Sequence, residues 1–453
     1  MLRISLGRGR GRFCDGVSRR QMLRLGGTGA LSGLSLPGLL ELEARAALGR
    51  ESSREIPAKS VIMIFLEGGP SHIDMWDLKP GAPKEIRGPF HPISTNVPGT
   101  RIGNILPRCA RVADKFTILR SHSHRDNGHQ TGRHWCLTGH KPSFGDGQAN
   151  STPFNELYPS IGSMISRELG HGGDVPPYIC VPEPMGPGGP GFYGARYAPF
   201  VIETDPVQPD FQVRDLNLAA GTSRRRFDLR RRLLAGVEKL AEGQRGRGRA
   251  ASMSTYYQKA LELVTSPSAR RAFDMDSEDP GLRERYGLTS LGQCCLLGRR
   301  LVEAGCRFVG ISHGSWDTHV DNFSSHEKAL VPHADAALST LLTDLDDRGL
   351  LDETLVIMWG EMGRTPRINA NAGRDHWSQC QSVILAGGGI RRGEVIGATD
   401  SKAMFPTTTP YGIHDLMRTI LRQMGIDADR VHTTPLGRPV PLVTGGAVID
   451  ELV

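Results

Sequence analysis

The chain has 453 residues, 38% of them apolar and 23% charged; this excludes wholesale disorder and allows one large α/β domain with additions, or about two to four smaller ones. The formal charge is +7, but residues 1–46 hold eight Arg against three acids, and the remainder carries 47 basic and 45 acidic residues, only +2. A basic pI that comes from the leader argues against nucleic-acid binding, and the Arg run at 224–232 reads as a solvated helix face.

Ser18-Arg19-Arg20-Gln21-Met22-Leu23-Arg24 resembles the twin-arginine export signal. A weakly apolar stretch (25–40) and Ala44-Arg45-Ala46, an A-x-A cleavage pattern, follow it. Residues 1–46 are therefore expected to be an export signal handled by the twin-arginine machinery, with a periplasmic or extracellular mature protein. No stretch approaches the roughly 20 uninterrupted apolar residues of a membrane-spanning helix, so no integral membrane segment is expected. Seven cysteines lie beyond the leader, none at C-x-x-C spacing; an oxidising compartment allows one or two disulfides, whose pairing the spacing does not fix.

Residues 59–66 (KSVIMIFL) form a continuous β-branched run ending at Glu67-Gly68-Gly69, the pattern of a strand buried on both faces. Similar runs recur at 116–119, 178–181, 307–312, 354–359 and 382–386. Helical periodicity occupies 291–304, stopped by Gly305, and 330–348, stopped by Gly349. Alternating strands and helices predict an α/β fold with a mainly parallel sheet and ligands beyond the carboxyl ends of the strands. The Gly/Pro-rich stretch 182–199 is expected to be loop, and 205–288 a helical insertion.

Candidate ligands gather behind these strands. Glu67 closes the first; Asp317-Thr318-His319 follows the fourth, and a two-residue spacing in extended chain puts both side chains on one face. Glu361 follows 354–359, and Asp375-His376 precedes the last run. Acids with two or so imidazoles suit one divalent cation, zinc, calcium or manganese, held by Glu67, Asp317, His319, Glu361 and His376. A second cluster, 120–140, packs five His and three Arg into RSHSHRDNGHQTGRHWCLTGH. The Arg residues and a helix beginning near Thr131 suit an anion.

Residues 133–142 (RHWCLTGHKP) look like the tail of the sulfatase signature C/S-x-P-S-R-x-x-x-L-T-G-R-x-P, and VIMWGEMG (356–363) and GIHDLMRTILRQMGI (412–426) resemble elements of the alkaline phosphatase and sulfatase superfamily. More closely, FLEGGPSHIDMWDLKP (65–80), GPFHPISTNVPG (88–99), SWDTHVDNF (315–323), GEMGRTPRIN (360–369) and GRDHW (373–377) resemble the bacterial family known as domain of unknown function 1501. The resemblance spans about 56–430, leaving 431–453 as a C-terminal extension. It implies an alkaline-phosphatase-like, three-layer α/β/α sandwich that hydrolyses phosphate or sulfate esters, small or polysaccharide. By this resemblance Glu67 stands for a first-strand metal Asp, Asp317 and His319 for a ligand pair, and His376 for a late third ligand. Glu361 stands for the Asp of Asp-His-Gly, and Arg133 for the Arg beside the nucleophile. The nucleophile position falls on His129, which can accept a phosphoryl group or ligate a metal; Thr131 is the alternative one slip away. Met362 replaces the His of Asp-His-Gly, so one cation is expected rather than two. A non-catalytic exported protein that binds anionic glycans on the same scaffold is the alternative function.

Overall fold

Ser60–Leu66 (β1) is buried along its whole length. In the computed structural model, which describes residues 58–142, 157–186, 188–213, 266–453 and a few helical positions between 225 and 233, β1 lies inside an eight-stranded sheet. The other strands are β2 (Phe116–His122), β3 (Tyr178–Val181), β4 (Phe200–Val201), β5 (Phe308–His313), β6 (Thr354–Trp359), β7 (Gln381–Ala386) and β8 (Val395–Ile396). Their spatial order is β8-β2-β7-β6-β1-β5-β3-β4. β1 pairs in parallel with β5 and β6, and β7 alone runs antiparallel to its neighbours β2 and β6. The register aligns Phe65 with both Ser312 and Trp359, so β1, β5 and β6 end at one rim. Because β7 is reversed, its beginning lies at that rim too, with Gln381 opposite His122.

Period-two alternation sends neighbouring side chains of β1 to opposite layers. Ile62, Ile64 and Leu66 pack with α3 (Ser290–Glu303) and α4 (Val331–Asp347) through Leu297, Leu301, Leu338 and Leu342. Val61, Met63 and Phe65 pack with α1 (His129–Thr138), α2 (Ile161–Leu169) and α5 (Ile413–Gln423) through Leu137, Ile161, Ile165, Leu416 and Ile420. The result is the expected α/β fold, a mainly parallel sheet between two helical layers. Local chemistry sets the helix ends. The side chains of Thr289 and Ser160 accept from the third residue onward, and the Asp415 carboxylate reaches back to the Gly412 N–H at 2.7 Å.

Two features depart from the expectations. β2 continues through the polar Arg120-Ser121-His122, because β7 supplies its hydrogen-bond partners. The short edge strands β4 and β8 carry too few residues to show a period. The described residues of 182–199 are loop, as expected, with two single 3₁₀ turns. The disulfides that an oxidising compartment would allow are not formed: Cys109, Cys136, Cys180, Cys294, Cys295, Cys306 and Cys380 are all buried and unpaired, filling the core as small apolar side chains. The leader and most of the 205–288 insertion lie outside the described residues; of the insertion, Pro267–Phe273 and Pro280–Tyr286 are seen as short helices. Residues 431–453 contribute buried Val440, Leu442, Val443, Ile449 and Leu452. Among the described residues no helix is long and apolar enough to cross a membrane.

Candidate metal centre

Four loops at the common rim bring the chemistry together, and two glycines let them touch. Gly68, after β1, adopts φ +118, and a Cβ there would come within 2.3 Å of the Asp317 nitrogen. A Cβ on Gly373 would lie 1.9 Å from the His319 carbonyl. Residues 316–319 are not extended: Thr318 N–H donates to the Trp316 carbonyl and His319 N–H to the Asp317 carbonyl, two successive three-residue turns. Asp317 and His319 nevertheless meet, with Nε2 to Oδ1 at 3.1 Å. His376 arrives on a small antiparallel ribbon, His376–Trp377 against Gly363–Arg364.

Three imidazoles point Nε2 at the Asp317 carboxylate. His319 and His376 lie 3.1 and 3.2 Å from Oδ1, and His129, the first residue of α1, lies 3.2 Å from Oδ2. Each ring is held from behind. Nδ1 of His129 meets Glu361 Oε1 at 2.6 Å, Nδ1 of His319 meets Asp375 Oδ1 at 2.7 Å, and Nδ1 of His376 meets the Asn127 carbonyl at 2.7 Å. With Nδ1–H donating backward, each Nε2 turns a lone pair toward Asp317, and those of His319 and His376 are 2.9 Å apart. Two facing lone pairs at that separation need a proton or a cation between them. The His129 Nε2 is buried and has no hydrogen bond of proper geometry despite the nearby carboxylate. An orphaned nitrogen, convergent imidazoles and oxygen acceptors behind every ring form the donor set of a divalent transition metal. His129, Asp317 and His376 offer ligand atoms all within 4.8 Å of one another.

Arg364 stitches these loops. Its guanidinium is fully buried and donates to the carbonyls of Gly69 (2.9 Å), Arg374 (3.0 Å), Trp316 (3.2 Å) and Gly68, and to Asp317 Oδ1. Burial alone would raise the Asp317 pKa, but the neighbouring His129, His376 and Arg364 hold it far below the ordinary carboxylate range. Burial also works against charge on His129, yet the adjacent Asp317 and Glu361 carboxylates carry its pKa to about 9. Arg374, also buried, grips both oxygens of buried Asp74 at 2.7 and 2.9 Å and so fixes the segment that carries Asp375 and His376.

Of the candidate ligands, Asp317, His319 and His376 come together and are joined by His129. Glu67 and Glu361 lie beside them but face Arg133, with Glu67 Oε2 at 2.6 Å from Nη1 and Glu361 Oε1 at 3.6 Å from Nε. Glu361 also accepts from the Gly68 N–H at 2.9 and 3.1 Å. Thr131 Oγ1 donates to Asp126 at 2.6 Å. Sequence patterns do not single out Arg364, Arg374 or Asn127 as site residues. The two arginines stand inside the GEMGRTPRIN and GRDHW stretches, and an Arg at a fixed offset from a candidate ligand is the one signal that could have found them.

Similarity to solved structures is broad and distant. The chain resembles the lipoteichoic acid synthase LtaP from Listeria monocytogenes, at 10% identity and TM-score 0.36, over 86% of this chain and 75% of that one. It also resembles the phosphonate monoester hydrolase SpPMH from Silicibacter pomeroyi, at 13% identity and TM-score 0.37, over 81% and 73%. A third is the PsFucS1 sulfatase from Pseudoalteromonas sp., at 12% identity and TM-score 0.35, over 85% and 71%. No curated protein matches the sequence. Residues 58–453, from the start of β1's approach to the carboxyl terminus, match a single family, and the chain belongs to it: DUF1501, described as a protein of unknown function.

Proposed function

We propose that this chain is an exported, metal-dependent hydrolase of phosphate or sulfate esters. The observation that carries the reading is the convergence of three Nε2 atoms on Asp317 with every Nδ1 tied to an oxygen. Asp317, His319 and His376 would hold a divalent cation, with His129 as a fourth ligand; zinc suits this nitrogen-rich set better than calcium. A cation held there supplies Lewis-acid polarisation of the ester's phosphoryl or sulfuryl oxygen. The chain's own residues do the rest. Glu361 fixes the His129 tautomer, Arg364 holds Asp317 in place, and α1 begins at His129, so the positive end of its dipole favours an anionic oxygen beside that ring. Arg133, one turn on, is engaged by Glu67 and Glu361 and holds those acids beside the cluster. Export rests on the twin-arginine pattern of the leader.

The test is metal content and turnover together. Purified protein is expected to retain about one equivalent of zinc or manganese and to cleave an aryl phosphate or aryl sulfate; His319→Ala and His376→Ala should lose both. If His129 is a ligand, His129→Ala weakens metal binding; if it is a nucleophile, the metal stays and only turnover falls. Protein that takes up no divalent ion and cleaves neither ester under any metal supplement refutes the proposal. One observation favours the non-catalytic alternative: at the two candidate nucleophile positions, His129 already contacts Glu361 and Asp317, and Thr131 donates to Asp126. Retention of an anionic glycan without turnover would select it.

A further inference from the structure

Arg133 lies on α1 one turn beyond His129, and its guanidinium enters between two acids that come from different strands. Glu67 follows β1 and Glu361 follows β6, 2.6 and 3.6 Å away respectively. Glu361 has no exposed surface, and a buried carboxylate needs a cation or a full set of donors. The third wall is also acidic: Ser312 Oγ donates to Glu67 Oε1 at 2.7 Å and lies 3.3 Å from Glu183 Oε1. Three carboxylates and a hydroxyl would form an oxygen donor set for a hard divalent ion. One fact disqualifies the set as it stands: the guanidinium fills the place between the two glutamates.

We infer that Arg133 is a covalently attached stand-in for a second cation: the centre takes one divalent ion at Asp317, His319 and His376, and the guanidinium neutralises Glu67 and Glu361 where another ion would otherwise bind. This rests on the metal reading above and adds its stoichiometry. It also explains why Glu67 and Glu361 line the site without facing the three Nε2 atoms, Glu361 touching His129 only from behind. Arg suits the task because its donors match carboxylate geometry and its charge persists at every physiological pH.

The experiment counts ions. Wild type, Arg133→Met, Arg133→Lys and Glu67→Gln are stripped with chelator, titrated calorimetrically with zinc and then with manganese, and analysed for bound metal after desalting. Wild type, Arg133→Lys and Glu67→Gln should each bind one equivalent. Arg133→Met, which keeps the length and loses the charge, should bind two, the second preferring manganese to zinc. One equivalent in Arg133→Met overturns this inference and leaves the metal centre standing. So do two equivalents in wild type falling to one in Glu67→Gln. No binding in any form overturns both. If Arg133→Met does not fold, Glu67→Gln still decides, because Glu67 counts as a ligand only where a second ion binds.

Discussion

Replacing Arg374 by Met is expected to lower folding stability by about 3–5 kcal/mol, the usual cost of leaving one member of a buried ion pair behind. Both partners are fully buried, and the contact is bidentate, Nε to Oδ2 at 2.7 Å and Nη2 to Oδ1 at 2.9 Å. Met restores much of the volume but leaves the Asp74 carboxylate with Ser71 Oγ (2.6 Å) and Asn322 Nδ2 (2.9 Å) and no cation. The carbonyls of Thr365, Pro366 and Ile86 also lose a donor. At roughly 1.4 kcal/mol per factor of ten, this is two to three and a half orders of magnitude in the folding equilibrium. Urea unfolding followed by tryptophan fluorescence measures it, compared at equal slope. The Asp74→Asn/Arg374→Met double variant should recover part of the loss, because no bare charge remains. A single variant within about 1 kcal/mol of wild type, or a double variant no better than the single, would refute the account of how this loop is held.

Three further outcomes are expected. Metal uptake should release protons: His129, raised to about 9 by its carboxylate neighbours, must shed its proton to offer Nε2, so zinc affinity should climb with pH up to about 9, by about tenfold per unit; calorimetry at pH 7 in buffers of different ionisation enthalpy detects this, and no proton release contradicts it. Acid should destabilise the fold before most carboxylates titrate. Burial lowers His122 to about 3 and His124 to about 4, so between pH 6.5 and 5 the unfolded chain takes up protons that the folded chain refuses, at about 1.4 kcal/mol per unit for each ring. The urea midpoint should fall over that range, and His122→Leu should reduce the slope by about one proton's share. Gly373→Ala, whose new methyl would meet the His319 carbonyl, should weaken zinc binding at least tenfold; unchanged affinity in a folded variant would mean that the 373–376 loop does not hold His319 in place.

Much of the scaffold is legible in the sequence because buried parallel strands carry apolar side chains on both faces. The runs at 60–66, 178–181 and 354–359 are such strands, each followed within two residues by an acid. The reversal of β7 is not legible, since Gln-Ser-Val-Ile-Leu-Ala presents the same side chains whichever way it runs. Of the site, the ligand types at strand ends can be read, and Asp317, His319 and His376 meet. Which acid faces which base cannot. Glu361 reaches His129 across 232 positions of chain, a pairing fixed by where α1 lands on the sheet rather than by local pattern. The same docking turns Arg133 toward Glu67 and turns Thr131 toward Asp126.

The reversed direction of β7 has an evolutionary corollary. A chain leaving the top of β6 and re-entering at the start of β7 makes an out-and-back excursion over one edge, with no need to traverse the sheet through a crossover helix. Glu361 stands at the departure, His376 near the return, and Arg364 and Arg374 anchor the path between them. Such a segment can lengthen, shorten or change its outer side chains while both feet stay planted. Diversification of what this scaffold recognises would therefore be expected to fall on the exposed Arg367, Ala370 and Asn371, while Asn369, whose amide joins the His319 carbonyl to Asp375, stays.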